Sequence, residues 1–275
     1  MNWIIGIAIF VTLGYLLDRE IYFYEGVHFG PRVQAWLYDR WAKKYDAGKR
    51  ESQLRDDEML AQPLLDAVRG TPTPFVLDFA TGTGRLSQAL ISRPEFSGRI
   101  VALDLSQGML EQAAAKLAGW AEGRVEFLRH QRLPLPFPDA AFDVVCALEV
   151  LELFPAMEEP LAEFARVLRP GGLLLTSRGT EESGRRAKVR SEAAFRSLLE
   201  AKGFTDVRIT KWWKLFDRAL AVKAGRSEPV KCKALAEVLR CPACGEIRWE
   251  RTPAALRCAC GASLPVTGEE GIVLG

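Results

Sequence analysis

The sequence predicts an α/β fold, a largely parallel sheet layered with helices and closed by a late antiparallel hairpin, with a hydrophobic helix before it and a small cysteine-bearing unit after it. Three observations predict this. Short β-branched runs alternate with helical segments between residues 75 and 177, two further runs within 206–224 are separated by only a few residues, and four of six cysteines fall in the last 35 residues. With 275 residues and 48% hydrophobic content, the chain can bury one sizeable core plus an appendage. Its 37 basic and 35 acidic residues leave a net charge of +2, so no global field points to nucleic acid. His28 and His130 are its only histidines, which argues against a multi-histidine metal site or a His-based triad.

Residues 1–17 carry no charge and are mostly apolar, up to Asp18, Arg19 and Glu20. Seventeen helical residues reach about 25 Å against a hydrocarbon core of roughly 30 Å, the lower edge for a spanning segment. Trp3, Tyr15, Tyr22 and Tyr24 are candidates for the membrane interfaces, and the basic residues that follow favour a cytoplasmic main body. No basic residue precedes the run and no small-residue cleavage site follows it, so a membrane-anchor helix is expected rather than a cleaved signal; a buried or dimerising helix is the alternative.

Residues 18–70 have Trp36, Tyr38, Trp41 and Tyr45 at helical spacing and read as a helical cap ending at Gly70-Thr71-Pro72-Thr73-Pro74. In 71–225, strands are expected at 75–79, 99–104, 125–128, 142–147 and 173–177, and helices at 84–92, 107–118, 161–168 and 192–202. Strands separated by helices imply parallel pairing through right-handed crossovers. Residues 206–210 and 215–224 are close enough to form the edge hairpin. A linker at 226–237 leads to the unit at 238–275.

The first strand runs into Asp78-Phe79-Ala80-Thr81-Gly82-Thr83-Gly84-Arg85 and a helix. Gly82 and Gly84 allow a ligand to approach the backbone closely, and Asp104, twenty residues beyond Gly84, ends the second strand where a carboxylate accepts both hydroxyls of a ribose. Such a turn serves nicotinamide, flavin and S-adenosylmethionine (SAM) folds alike, and a tight turn without ligand is also open. The motifs that follow narrow the choice. Asp104-Leu105-Ser106-Gln107-Gly108-Met109-Leu110, then Leu135-Pro136-Phe137-Pro138-Asp139 with Phe142-Asp143-Val144-Val145, then Arg166-Val167-Leu168-Arg169-Pro170-Gly171-Gly172 resemble successive segments of class I SAM-dependent methyltransferases, and Tyr38-Asp39 through Tyr45-Asp46 resembles the lead-in helix of the small-molecule members. The resemblance spans about residues 36–224 and implies a Rossmann-like methyltransferase sheet. It also implies a cofactor site of Tyr45, Asp78, Ala80, Gly82, Gly84, Asp104, Leu105, Met109 and Gln131. Ala80 stands where the family has its first glycine, and Gln131, beside His130, stands where the family has an acid for the adenine amino group; its carbonyl accepts the same hydrogen bond without the charge.

Methyl transfer from a sulfonium needs alignment more than a base. Glu149 and Glu152 sit where the resemblance puts acceptor-facing residues and are candidates to orient or deprotonate an acceptor, with a solvent-facing Glu152 as the alternative. Arg178, Arg185, Arg186, Lys188 and Arg190 follow the fifth strand at the ligand-binding edge of the sheet. With the N-terminal helix they favour a small or lipid-like acceptor at an anionic membrane surface, as in quinone-biosynthesis and phospholipid methyltransferases.

Cys241-x-x-Cys244 and Cys258-x-Cys260, 13 residues apart, present four thiolates suited to tetrahedral zinc. Their surroundings, Leu239-Arg240-Cys241-Pro242, Leu256-Arg257-Cys258, Leu264-Pro265-Val266 and Glu270-Gly271-Ile272-Val273-Leu274, resemble the zinc-ribbon activator subunit of tRNA, rRNA and release-factor methyltransferases. That resemblance supplies a rival, methylation of RNA or a translation protein, although no aromatic-basic stripe for nucleic acid is evident. A catalytically inactive SAM-fold scaffold is a third reading. Cys146 is expected in the core, and Cys232 is a poor ligand candidate. Acceptor atom and oligomeric state are not legible.

Overall fold

A computed structural model describes residues 2–120, 123–183, 189–268 and 271–275. Its centre is the expected sheet. Strands β1 (Phe75–Phe79), β2 (Arg99–Asp104), β3 (Val125–Arg129), β4 (Phe142–Ala147) and β5 (Leu168–Gly179) run parallel in the order β3-β2-β1-β4-β5. Strands β6 (Phe204–Lys211) and β7 (Phe216–Lys223) form the hairpin, with β7 antiparallel to β5 and β6 outermost. The short connection allows only antiparallel pairing there.

All five residues of β1 are buried, so its side chains divide between two faces. Phe75, Leu77 and Phe79 enter one apolar cluster with Phe137, Phe142 and Phe164, while Val76 enters the other with Leu60, Leu90 and Ile100. Helices α4 (Arg85–Ile91) and α5 (Gln107–Leu117) cover the second face, and α6 (Glu158–Val167) and α7 (Glu192–Ala201) the first. The result is three layers.

The helical cap comprises α2 (Pro31–Gln53) and α3 (Gln62–Ala67), with α2 packed along α5. Their contact is close, since a Cβ on Gly108 would lie 3.0 Å from the Asp39 backbone. The Asp39 carboxylate accepts from Ser106 Oγ (2.6 Å) and Gly108 N (2.8 Å), so one acid locks the cap to the start of α5.

Both ends of the chain depart from expectation. Helix α1 (Asn2–Asp18) forms as predicted but stops at 17 residues, and among the described residues no helix is long and apolar enough to cross a membrane. The transmembrane assignment is therefore corrected, because the charges from Asp18 onward end the apolar run too early. At the other end, β8 (Trp249–Arg251), β9 (Ala255–Cys258), β10 (Ser263–Thr267) and β11 (Ile272–Leu274) make the cysteine ribbon, and β11 pairs in parallel with β3 through Val273 opposite Leu128 and Leu274 opposite Arg129. One continuous sheet of eleven strands results. The 226–237 segment is packed as well. Asp143 accepts from Phe75 N (3.0 Å), Arg169 Nε (2.6 Å) and Val230 N (2.9 Å), and Leu235 is fully buried.

Candidate active site

The carboxyl ends of β1, β2 and β4 open onto a cleft roofed by α2 and the segment before it. Asp104, buried at the end of β2, accepts from Gly82 N (2.8 Å) and Ser106 N (2.9 Å), which fixes the Gly-rich turn to the second strand. Burial raises its carboxyl to about pH 6, against the backbone donors that favour the charged form. Asp78 is buried too and accepts from Thr81 Oγ1 and Ser87 Oγ, both at 2.7 Å; burial also raises its pKa.

The glycines of the turn have different duties. Gly82 has a positive φ of 55°, and a Cβ there would meet nothing within 4 Å, so its backbone borders open cleft. Gly84, at φ 76°, would bring a Cβ to 3.0 Å from the Ala113 side chain; its smallness brings α4 against α5. Ala80 also takes a positive φ, 54°, where the related family has glycine.

One end of the cleft is polar. Tyr45, Lys49, Asp78, Ala80, Gly82 and Glu149 line it. Burial, then the Glu149 carboxylate, keeps the Tyr45 phenol protonated well above its ordinary range. Glu149, at the strained turn after β4 with φ 54°, accepts from Lys49 Nζ (2.6 Å) and Arg85 Nη1 (2.8 Å). Arg85 also pairs with Asp56, donates to the Ser52 carbonyl (2.5 Å) and lies over the Trp212 ring at 4.6 Å. With both carboxylate oxygens engaged by cations, Glu149 is arranged to tie α2 to the Gly-rich turn. Glu152 is buried rather than solvent-facing, and its Oε1 accepts from Gly179 N at 2.6 Å.

The other end is apolar, a cavity of about 280 Å³. Ala80, Asp104, Leu105 and Gln131 border it beside Phe79, Leu133, Val150, Leu153 and Phe154, and Val27, Gly30, Pro31 and Gln34 close it from the cap side. Gln131 Nε2 donates to the Leu105 carbonyl (3.1 Å), which leaves its own carbonyl as the acceptor. His130 Nε2 and Gln34 Nε2 are buried without a hydrogen-bond partner among the described residues, and both side chains border this cavity. Met109 lines neither end; it is buried at the start of α5, where its N–H donates to Ser106 Oγ (3.1 Å).

Sequence reasoning missed Lys49, Arg85, His130 and Gln34. Arg85 carried a legible signal, since a cation in the first turn of a helix opposes the macrodipole and calls for acidic partners. Lys49 lies one turn beyond Tyr45 and shares its face. Two of the basic residues expected at the end of β5, Arg178 and Arg190, are engaged by acids. Arg178 is buried against Asp217 (2.5 Å), with Glu181 at 3.3 Å, and Arg190 pairs with Glu158 (2.6 Å), so neither is free for a phosphate; Arg185, Arg186 and Lys188 lie outside the described residues.

Comparison with known proteins accords with this geometry. Residues 76–172 match the family model described as a methyltransferase domain. This stretch is similar to a methyltransferase domain. Demethylmenaquinone methyltransferase of Thermobifida fusca is 33% identical over 145 residues, 53% of this chain and 60% of that protein. A ubiquinone/menaquinone biosynthesis C-methyltransferase of Hahella chejuensis is 32% identical over 142 residues, 51% and 57% of the two chains. The chain thus spans little more than half the length of these curated relatives. A SAM-dependent methyltransferase from Aquifex aeolicus has the same fold, with a TM-score of 0.53 and 21% identity over 67% of this chain and 97% of that one. The domain and the relatives support a SAM-dependent methyltransferase.

The matched stretch supplies the floor of the cleft, from the Gly-rich turn to Phe154; the roof, with Tyr45, Lys49 and Gln34, comes from chain preceding it. The cysteine cluster lies beyond it. The sulfurs of Cys241, Cys244, Cys258 and Cys260 all fall within 4.8 Å of one another, with Cys241–Cys260 and Cys244–Cys258 at 3.7 Å. Four sulfurs about 2.3 Å from a tetrahedral zinc stand about 3.8 Å apart, so this set fits that metal despite its shortened second pair. Burial opposes ionisation of Cys241, but backbone N–H groups of Cys244 and Ala243 and the neighbouring thiols bring it down to about 7, while Cys244 and Cys258 are raised, so without a cation the cluster favours a single thiolate. Cys146 is buried on β4 as expected, and Cys232 donates to the Thr73 carbonyl (3.1 Å).

Proposed function

We propose that the chain transfers a methyl group from SAM to a small, largely apolar acceptor of the quinone class, at a membrane surface to which α1 attaches it, and that its ribbon carries a structural zinc held by Cys241, Cys244, Cys258 and Cys260. The observation that carries this is a pair of neighbouring cavities that share Ala80: a polar, acid-lined one beside the Gly-rich turn, and a largely apolar one bordered on one side by Asp104, Leu105 and Gln131 and on the other by Phe79, Leu153 and Phe154. The names of the relatives, which act in quinone biosynthesis, support the acceptor class. SAM brings a methyl group already activated on a sulfonium.

The residues then have these duties. Asp104 accepts the ribose hydroxyls, the Gln131 carbonyl and Leu105 meet the adenine, and Asp78 and Tyr45 flank the amino-acid end. Glu149, with Lys49 and Arg85, and Glu152, through Gly179, position the walls rather than exchange protons. Phe79, Leu153 and Phe154 exclude water from the acceptor, whose polar ring atoms find hydrogen-bonding partners in Gln34 and His130.

Calorimetric titration with SAM, and with NADH in parallel, tests the cofactor; incubation with methyl-labelled SAM and a reduced demethylated quinone tests the acceptor. SAM binding with label appearing in the lipid extract is expected. Binding without label would remove the acceptor class, and no SAM binding by the folded protein would remove the enzyme. Asp104 sets the pH dependence. The ribose hydroxyls bind the ionised carboxylate, so SAM affinity should be level above about pH 6 and fall toward tenfold per unit below it. Asp104→Asn should weaken binding and abolish that slope.

A further inference from the structure

Helices α1 and α2 offer the outside two chemically different surfaces. Every side chain of α1 from Trp3 to Leu17 is exposed, and the helix is apolar all the way round. Of its two hydroxyls, Thr12 donates to the Ala8 carbonyl (2.8 Å), and Tyr15 is exposed close to the charged end of the run, where a phenol suits the membrane interface. At about 25 Å the helix is shorter than a hydrocarbon core of roughly 30 Å, so inserting it from one side of the bilayer would leave the residues behind it at headgroup level.

Those residues form a stripe. Arg32, Trp36, Arg40, Lys43, Ala47 and Arg50 follow one another at intervals of four, four, three, four and three, which places them on one face of α2, and all are exposed. The Arg40 guanidinium lies 5.1 Å from the centre of the Trp36 ring. None of Arg32, Arg40, Lys43 and Arg50 is in an ion pair among the described residues, whereas Lys49, off the stripe, is held by Glu149. The acids of α2 near the stripe are Glu51, in the last turn, Asp39, already committed to Ser106 and Gly108, and Asp46, paired with Lys116 (2.6 Å).

We propose that this stripe is a docking surface for anionic lipid headgroups, which lays α2 along the bilayer that receives α1. The inference rests on the attachment through α1 proposed above. Cations near an anionic leaflet gain attraction, an interfacial tryptophan is well placed among headgroups, and one marginal apolar segment needs a second, basic contact for stable attachment. The geometry has a consequence for the acceptor. Val27 and Gly30, between the two helices, and Pro31 and Gln34, in the first turn of α2, also wall the apolar cavity, so the cavity lies at the end of α2 that docking sets on the membrane. An acceptor with a hydrocarbon tail would reach the site while its tail stays in lipid.

The test is flotation of the full chain with vesicles of phosphatidylcholine alone and with 30% phosphatidylglycerol, for the wild type and the R32E/R40E/K43E variant, with SAM affinity measured on both. The wild type should bind anionic vesicles far more tightly than neutral ones, in a salt-sensitive way, and the variant should lose that preference, about fivefold or more per residue, while keeping SAM affinity and its weaker binding to neutral vesicles. Equal binding of the wild type to both vesicles would overturn the proposal. So would a variant that keeps the preference. Binding of the wild type to neither vesicle would remove the attachment through α1 as well, leaving SAM binding and methyl transfer to be judged by their own assays.

Discussion

Helix α1 and strand β11 lie at opposite ends of the chain and meet the rest of it in opposite ways. Along α1, apolar side chains face outward on all sides, whereas β11 is a seam within an eleven-stranded sheet, with Ile272 and Val273 buried. A helix satisfies its backbone internally and can stand clear of the fold. A strand cannot, because its N–H and C=O groups need a neighbour, and the open edge of β3 supplies one. The same requirement makes the ribbon part of the core: Leu239, Leu256, Leu264 and Val273 share one apolar cluster with Phe137 and Phe142.

The contrast breaks most readily at the metal. If four thiolates around zinc organise the ribbon, Cys258→Ser or a strong chelator should destabilise the protein by several kcal/mol, on the order of 3 or more, read as a lower urea midpoint. An unchanged midpoint would make the ribbon self-supporting. A smaller loss tests the seam. Leu274 pairs with Arg129, immediately before His130 and Gln131 at the cavity wall, and Gly275 N donates to the Arg129 carbonyl (2.9 Å). Val273→Asp should therefore cost about 3 kcal/mol of stability and, where the protein remains folded, weaken SAM roughly tenfold. Intact SAM affinity in the folded variant would uncouple ribbon from cofactor wall. The smallest effect is expected at the other end. Removing residues 1–17 should leave stability within about 0.5 kcal/mol and SAM affinity unchanged, while vesicle binding is lost. A large drop in melting temperature would mean that α1 packs on the body after all.

Much of this arrangement was written in local sequence. The alternation of strand and helix, the short spacing that forces β6 and β7 into a hairpin, the Gly-rich turn, Asp104 at the end of β2 and the four ribbon cysteines depend on residues close in the chain, and periodicity or spacing reports them directly. The cleft was legible where it followed from that frame, as at Asp78, Gly82 and Asp104. It was not legible where distant charges meet. The basic residues after β5 resembled a solvated anion site, yet Arg178 is spent on Asp217 across the sheet, and Glu149 proved to be the anchor for Lys49, a hundred residues before it.

The layered sheet, the Gly-rich turn and the four-cysteine cluster follow from the sequence alone, because short-range geometry and residue chemistry are sufficient for each. Long-range packing adds that the ribbon continues the sheet, that Lys49 and Arg85 neutralise Glu149, and that the entry to α2 walls the apolar cavity. Each of these depends on which edge, charge or face a distant segment leaves unsatisfied, and spacing along the chain does not encode that.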